Sequence, residues 1–266
     1  MSRELNSPIA DKFTQIFAVA RITFQEIIRD KVLLNIVLFS GLLLLIAYAA
    51  SFLTFITPER VVIDFGFSAM NISCAMIAIF HGAGMISKEF ERRTIFVALA
   101  RPISRFQFLL GKYFGLIAVL TLNGGIIAVA LGALYVSLGG TFTPTFFIGV
   151  QFLILQSYYV AALTMIFACF STASETVVIM IGLYLIGNNI TEIEGLLEKL
   201  NPSVVKSILQ IGVVSLPNLE HFNQGFNITY SLPIPAEVIF TTVAYALVMI
   251  SASLYFSGVL IDRKEG

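Results

Sequence analysis

The stretch SKEFERRTIFVALARPISRFQFLLGK, Ser87 to Lys112, decides how this chain is read, because it is a charged island between two long apolar runs. It holds six of the sixteen basic residues: Lys88, Arg92, Arg93, Arg101, Arg105 and Lys112. Basic charge beside membrane-length apolar runs marks a loop on the cytoplasmic side, where short loops collect Lys and Arg. The island also has a helical pattern of its own. Glu89 and Arg93 stand one turn apart, and Ile95, Phe96, Leu99 and Ala100 gather on one side, so residues 88–100 are expected to form a short cytoplasmic helix. Pro102 disfavours a helical Arg101 and ends it. Ser104 and Gln107 then form a capping box that starts the next helix.

The rest of the chain fits that reading. Hydrophobic residues make up 58% and charged residues only 12%, with a mean hydropathy of +0.91; this is the composition of an all-α integral membrane protein. Six stretches approach the roughly 20 residues a helix needs to cross the hydrocarbon core: 32–56, 65–86, 104–138, 146–170, 173–190 and 237–261. Almost nothing is left over for a soluble domain, so 1–266 is read as one domain. Thr172 and Glu175 are a second capping box, placed to start the fifth span.

Ahead of the first span, Ser7 and Pro8 read as N-cap and first helical position. Phe13, Ile16, Phe17, Ala20, Phe24, Ile27 and Ile28 share one face of the helix that follows, and Asp11, Lys12, Gln25, Glu26 and Arg29 the other. The stripe predicts an amphipathic helix over 8–30 lying in the membrane interface, with Phe13, Phe17, Arg21 and Phe24 marking it, rather than a secretory signal. A soluble partner-binding helix is the alternative. The longest polar interval, 191–235, carries two short amphipathic patterns, 191–200 and 203–213, split by Asn201 and Pro202. These are expected to form a helical hairpin over the outer end of the bundle. In a six-span arrangement thirteen basic residues fall on one side and only Arg60, Lys199 and Lys206 on the other, which assigns both termini and the island to the cytoplasm.

Chemistry is marked by what is missing. No Asp or Glu is expected well inside a span, which argues against ion-coupled transport, and no intramembrane protease motif is present. His81 and His221 lack a second ligand at metal spacing and read as a packing residue and a surface residue. Cys74 and Cys169 sit in apolar surroundings and suggest neither a disulfide nor a metal. Gly111, Lys112 and Tyr113 imitate the end of a phosphate-binding loop, but Phe106 stands where that loop needs glycine. The chain therefore reads as a non-enzyme without a cofactor or nucleic-acid partner of its own. Gly111, Gly115, Gly124, Ala128 and Gly132 line a small-residue face along the third span, suited to close helix packing either within the chain or between two copies.

EFERRT at Glu89–Thr94, ARPISR at Ala100–Arg105 and FLLGKYFG at Phe108–Gly115, set between a second and a third span, resemble the coupling region of bacterial ABC-2 type permeases. With LPNLEHFN at Leu216–Asn223 and the amphipathic N-terminal helix, the chain is most similar to the branch containing the permease of nitrous oxide reductase maturation. The resemblance implies a membrane subunit of an exporter in the bacterial cytoplasmic (inner) membrane, working as a homodimer with two copies of a separate ATPase that binds the ATP and magnesium. It further implies that Glu89, Phe90, Glu91, Arg92, Arg93 and Thr94 dock on that ATPase beside the N-terminal helix. The plain alternative for these residues is a solvated inside loop, yet Phe90 among four charges favours docking. A membrane anchor or sensor that binds an ATPase without moving a substrate is the alternative function, and an ion-coupled carrier the third.

Overall fold

The computed structural model describes residues 8–54, 57–91, 104–198, 216–230 and 232–263. Every regular element among them is helical: α1 (Pro8–Ile28), α2 (Lys31–Ser51), α3 (Pro58–Glu91), α4 (Arg105–Ser137), α5 (Pro144–Ala168), α6 (Ala173–Gly187), α7 (Ile190–Glu198), a 3₁₀ turn (Glu220–Phe222), α8 (Gly225–Thr229) and α9 (Ala236–Arg263). Five of these, α2, α3, α4, α5 and α9, are long and apolar enough to cross a membrane alone. The pair α6 and α7 passes that test only together, and a bend of 68° separates its members.

Local chemistry sets most helix ends. Both capping boxes form: Gln107 N donates to Ser104 Oγ at 3.3 Å while Ser104 N donates to Gln107 Oε1 at 3.0 Å, and Thr172 and Glu175 make the same pair of bonds at 3.4 and 3.0 Å. Asp30 caps α2 by accepting from Val32 N at 2.9 Å. Proline opens α3 and α5, where its missing N–H costs no helical bond. Gly139, with φ of 89°, takes the left-handed conformation that closes the turn after α4.

Three boundaries depart from the sequence expectation. The first span ends at Ser51 rather than near residue 56. α3 begins at Pro58, so Glu59, Arg60 and Asp64, read from the sequence as a connector, form its first turns; their charges belong to a helix that outruns the apolar stretch. At its other end α3 continues through Lys88 to Glu91 without a break, so the helix expected to start at Lys88 has its first four residues on α3. The remainder of 88–100, like the second predicted hairpin helix 203–213, lies outside the described residues.

α3 and α5 form the centre of the bundle, with 67% of their apolar windows buried, against 22% for the peripheral α2 and α9. Met70 and Ile77 of α3, Leu116 and Leu120 of α4, and Val160 and Met165 of α5 meet in the core. Between apolar helices in lipid it is close packing and hydrogen bonding, not the hydrophobic effect, that favour association.

α6 is the unusual member. Its fifteen residues reach about 22 Å at 1.5 Å per residue, short of the ~30 Å hydrocarbon core. Where it stops, the chain 216–222 crosses its end. Leu219 N donates to Gly187 O at 2.9 Å, and a Cβ on Gly187 would lie 2.6 Å from Pro217 O. Leu219 and Phe222 are buried, and the Phe222 ring lies 6.4 Å from that of Tyr159 in the second half of α5, tilted by 42°. The stretch read as an outer loop therefore reaches down into the bundle.

Candidate functional site

The residues singled out from the sequence fall at two levels of the bundle. At the end where the island begins, α1 lies along α4. Gly111 and Gly115 make this contact close: a Cβ on Gly111 would stand 2.6 Å from Val19 Cβ and 3.0 Å from Ile16 O, and one on Gly115 2.7 Å from both Ala20 O and Thr23 Cβ. The backbones of the two helices thus nearly touch, which side chains larger than glycine would prevent. Phe24 is half-buried against the core and Ile27 fully so, whereas Phe13 and Phe17 are 69% and 72% exposed and Arg21 points outward. One apolar stripe is thus divided between packing on α4 and an open aromatic edge.

The other small residues of α4 meet different neighbours. Gly124 faces Ile154 of α5 and Met70 of α3, Gly132 faces the rings of Phe142 and Phe146, and Ala128 is half-buried against the core. The face read as a single stripe contacts four separate parts of the chain.

Two side-chain contacts, one an ion pair and one between a carboxylate and an imidazole, tie the helices together at this end. Lys112, buried on α4, has its Nζ 3.7 Å from Glu26 of α1 and 5.5 Å from the centre of the Phe108 ring. Asp30, in the elbow between α1 and α2, places an oxygen 3.7 Å from Nε2 of buried His81 on α3. Glu26, Asp30 and His81 border a cavity of about 420 Å³, together with Phe80, Met85 and Ser174. Ser87 donates to Ala168 O at 3.3 Å and Ser171 O at 3.2 Å, so α3 is held to the α5–α6 turn at the point where the island begins. Of the island's expected docking residues, Glu89, Phe90 and Glu91 stand on the last turn of α3 and Arg92, Arg93 and Thr94 lie beyond the described residues.

Deeper in the bundle is a set of buried amides that sequence reasoning did not single out. Asn123 of α4 donates to Ser73 Oγ at 3.1 Å and to Cys74 Sγ at 3.6 Å. Gln156, midway along α5, donates to Asn188 Oδ1 at 2.8 Å. Asn218 N donates to the Tyr245 hydroxyl at 3.2 Å, and Glu220 accepts from Thr191 N at 2.9 Å, joining the 216–222 stretch to α9 and to the start of α7. His221 is exposed, with its ring 5.4 Å from that of Tyr245. The signal for Gln156 and Asn123 was present: an amide inside an otherwise apolar membrane run is costly unless paired.

The described site is thus a bundle of apolar helices with charged side chains at one end and partly paired amides in its interior. The family of ABC-2 family transporter proteins matches residues 17–265, nearly the whole chain. The chain belongs to that family. It is therefore the membrane subunit of an ABC transporter, of a family that generally works with an ABC ATPase. Comparison with curated proteins finds none that matches it. In the permease the family match spans α3, the island and α4 together, the region in which the resemblance was seen.

Proposed function

We propose that this permease moves its substrate outward across the bacterial cytoplasmic membrane as a homodimer, driven by ATP hydrolysed with magnesium on two copies of a separate ATPase. Both termini and the island face the cytoplasm in this reading, on the thirteen-to-three division of basic residues. Within the family we assign it to the branch of the nitrous oxide reductase maturation permease, on EFERRT and LPNLEHFN.

One observation carries the proposal: α3 is a single helix from Pro58 to Glu91, about 50 Å long at 1.5 Å per residue. It starts beside the far end of the bundle and ends in the first residues of the island. A displacement applied at Glu89–Thr94 by a bound ATPase passes along one rod, and Ser87 passes it to α5 and α6 as well. α1, seated in α4 at Gly111 and Gly115, adds a second lever, with Phe13 and Phe17 in the lipid interface and Arg21 at the headgroups.

The test is reconstitution in lipid with the cognate ATPase, measuring ATP turnover and ATP-dependent substrate movement in inside-out vesicles. Stimulated turnover with accumulation inside the vesicles is the expected result. Assembly with turnover but no accumulation of any substrate indicates an anchor or sensor, and accumulation on an ion gradient without ATP indicates a carrier.

A further inference from the structure

Where α3 begins, α3, α5 and the 222–229 stretch line an open cavity of about 270 Å³, at which Asp64 and Ser68 are exposed. That is just below the roughly 300–1,000 Å³ of drug-sized pockets, so it suits a small ligand rather than an acyl chain. One wall is a single face of α3, on which Asp64, Ser68 and Asn71 recur at helical spacing. All three present acceptors. Asp64 accepts from Thr229 Oγ1 with one carboxylate oxygen and makes no ion pair among the described residues. Arg60, one turn before it, instead places its guanidinium over the Tyr230 ring at 5.1 Å. Ser68 donates its proton to Asp64 O at 2.8 Å, which leaves its own oxygen as an acceptor. The Asn71 side chain makes no hydrogen bond among the described residues. Across the cavity, Gln224 has an amide oxygen that accepts from Asn227 at 2.7 Å, and Phe226 offers an exposed ring.

Among the described residues no basic side chain lines the cavity, which rules against an anion. Among the described residues no three His, Cys, Asp or Glu side chains converge, which rules against a divalent metal. Among the described residues that line the cavity, Asp64 alone carries a charge. A cleft with that bias concentrates cations. We infer that this cavity binds a small organic ammonium ligand, with its N–H donors on Asp64 and Ser68 and a second polar group reaching Asn71, about 10 Å deeper along α3. The Phe226 ring adds a face that favours a cation.

The ammonium group could come from a free amine or from an aminophospholipid headgroup, and the two are separable. The full chain in nanodiscs of phosphatidylcholine and phosphatidylglycerol is titrated with putrescine, and with 1,4-butanediol as the uncharged control, by calorimetry. Putrescine is expected to bind and the diol not to. Asp64→Asn still accepts from Thr229 and weakens putrescine binding about tenfold or more, the value of one charged hydrogen bond; Asn71→Leu weakens it at least about threefold. Loss of putrescine binding when phosphatidylethanolamine is added to the discs assigns the site to the headgroup, and unchanged binding assigns it to a free amine. Absence of putrescine binding in the amine-free discs, equal binding of the diol, or an Asp64→Asn variant that binds like the parent overturns the inference.

Discussion

Gln156 of α5 donates to the side-chain oxygen of Asn188 at 2.8 Å, joining the middle of one helix to the very end of another. Asn188 in turn donates to Tyr184 O at 2.9 Å. Interhelical side-chain bonds of this kind in membranes are worth about 0.6 kcal/mol on average and up to about 1.7 kcal/mol. Asn188→Leu should cost more than that average, because it also leaves the buried Gln156 amide without its acceptor. The double variant Gln156→Met, Asn188→Leu removes both polar groups and should be less destabilised than Asn188→Leu alone. Thermal unfolding of the three variants in lipid nanodiscs checks the order; additive losses would show that the bond contributes little.

Gly115 and Gly125 stand ten positions apart on α4 and should respond to alanine with opposite sign. A Cβ at Gly115 meets Ala20 O and Thr23 Cβ at 2.7 Å, whereas one at Gly125 meets nothing within 4 Å. Overpacking costs about 1–3 kcal/mol, and replacing an unconstrained helical glycine by alanine gains up to about 1 kcal/mol. Gly115→Ala should therefore lower the unfolding midpoint and Gly125→Ala raise it. If the two shift alike, α1 is not held against α4 in the way described.

Membrane orientation is open to labelling. The native cysteines, Cys74 and Cys169, are both buried and not joined in a disulfide, so single cysteines can be introduced in a background lacking them. A cysteine at Arg60 or Lys199 should react with an impermeant reagent on intact cells, and one at Arg92 only after permeabilisation. The reverse pattern would invert the topology.

Docking on an ATPase should separate Glu91 from Phe90. Rim charges mainly steer association and set register, while a buried aromatic anchor holds a complex together. Glu91→Lys should weaken co-purification of the ATPase in a salt-sensitive way, and Phe90→Ala should cost about 2 kcal/mol or more at any salt. Full assembly and unchanged ATP turnover in both variants would leave the island as a solvated loop.

The parts of the fold legible in sequence were those written locally. Ser104 with Gln107 and Thr172 with Glu175 each carry a helix start within four residues, and both helices begin there. Pro58 carried such a signal for α3, but the charges of Glu59, Arg60 and Asp64 outweighed it in a reading based on hydropathy. Asp30 before Lys31 and Val32 is likewise an N-cap pattern, though nothing nearby in sequence points to its second contact, His81. The placement of 216–222 was not legible at all. It rests on Leu219 to Gly187, Asn218 to Tyr245 and Glu220 to Thr191, bonds between residues more than twenty positions apart. The Gly111 and Gly115 pattern announced a close helix contact without naming α1 as its partner.

The shortness of α6 has a consequence for biogenesis. A fifteen-residue helix that ends beside buried amides has no stable transmembrane state of its own, since its last carbonyls must be satisfied away from water. Gly187 O waits for Leu219, Asn188 needs Gln156 already in place, and Asn218 is completed only by Tyr245 of the final helix. The half of the bundle away from the island is therefore the last part to mature, and it does so after α9 has been synthesised. A ribosome-stalled chain ending before Tyr245 should hold α2 to α5 inserted while α6 and the 216–222 stretch remain open to protease, which makes the C-terminal helix the closing step of assembly as well as a wall of the bundle.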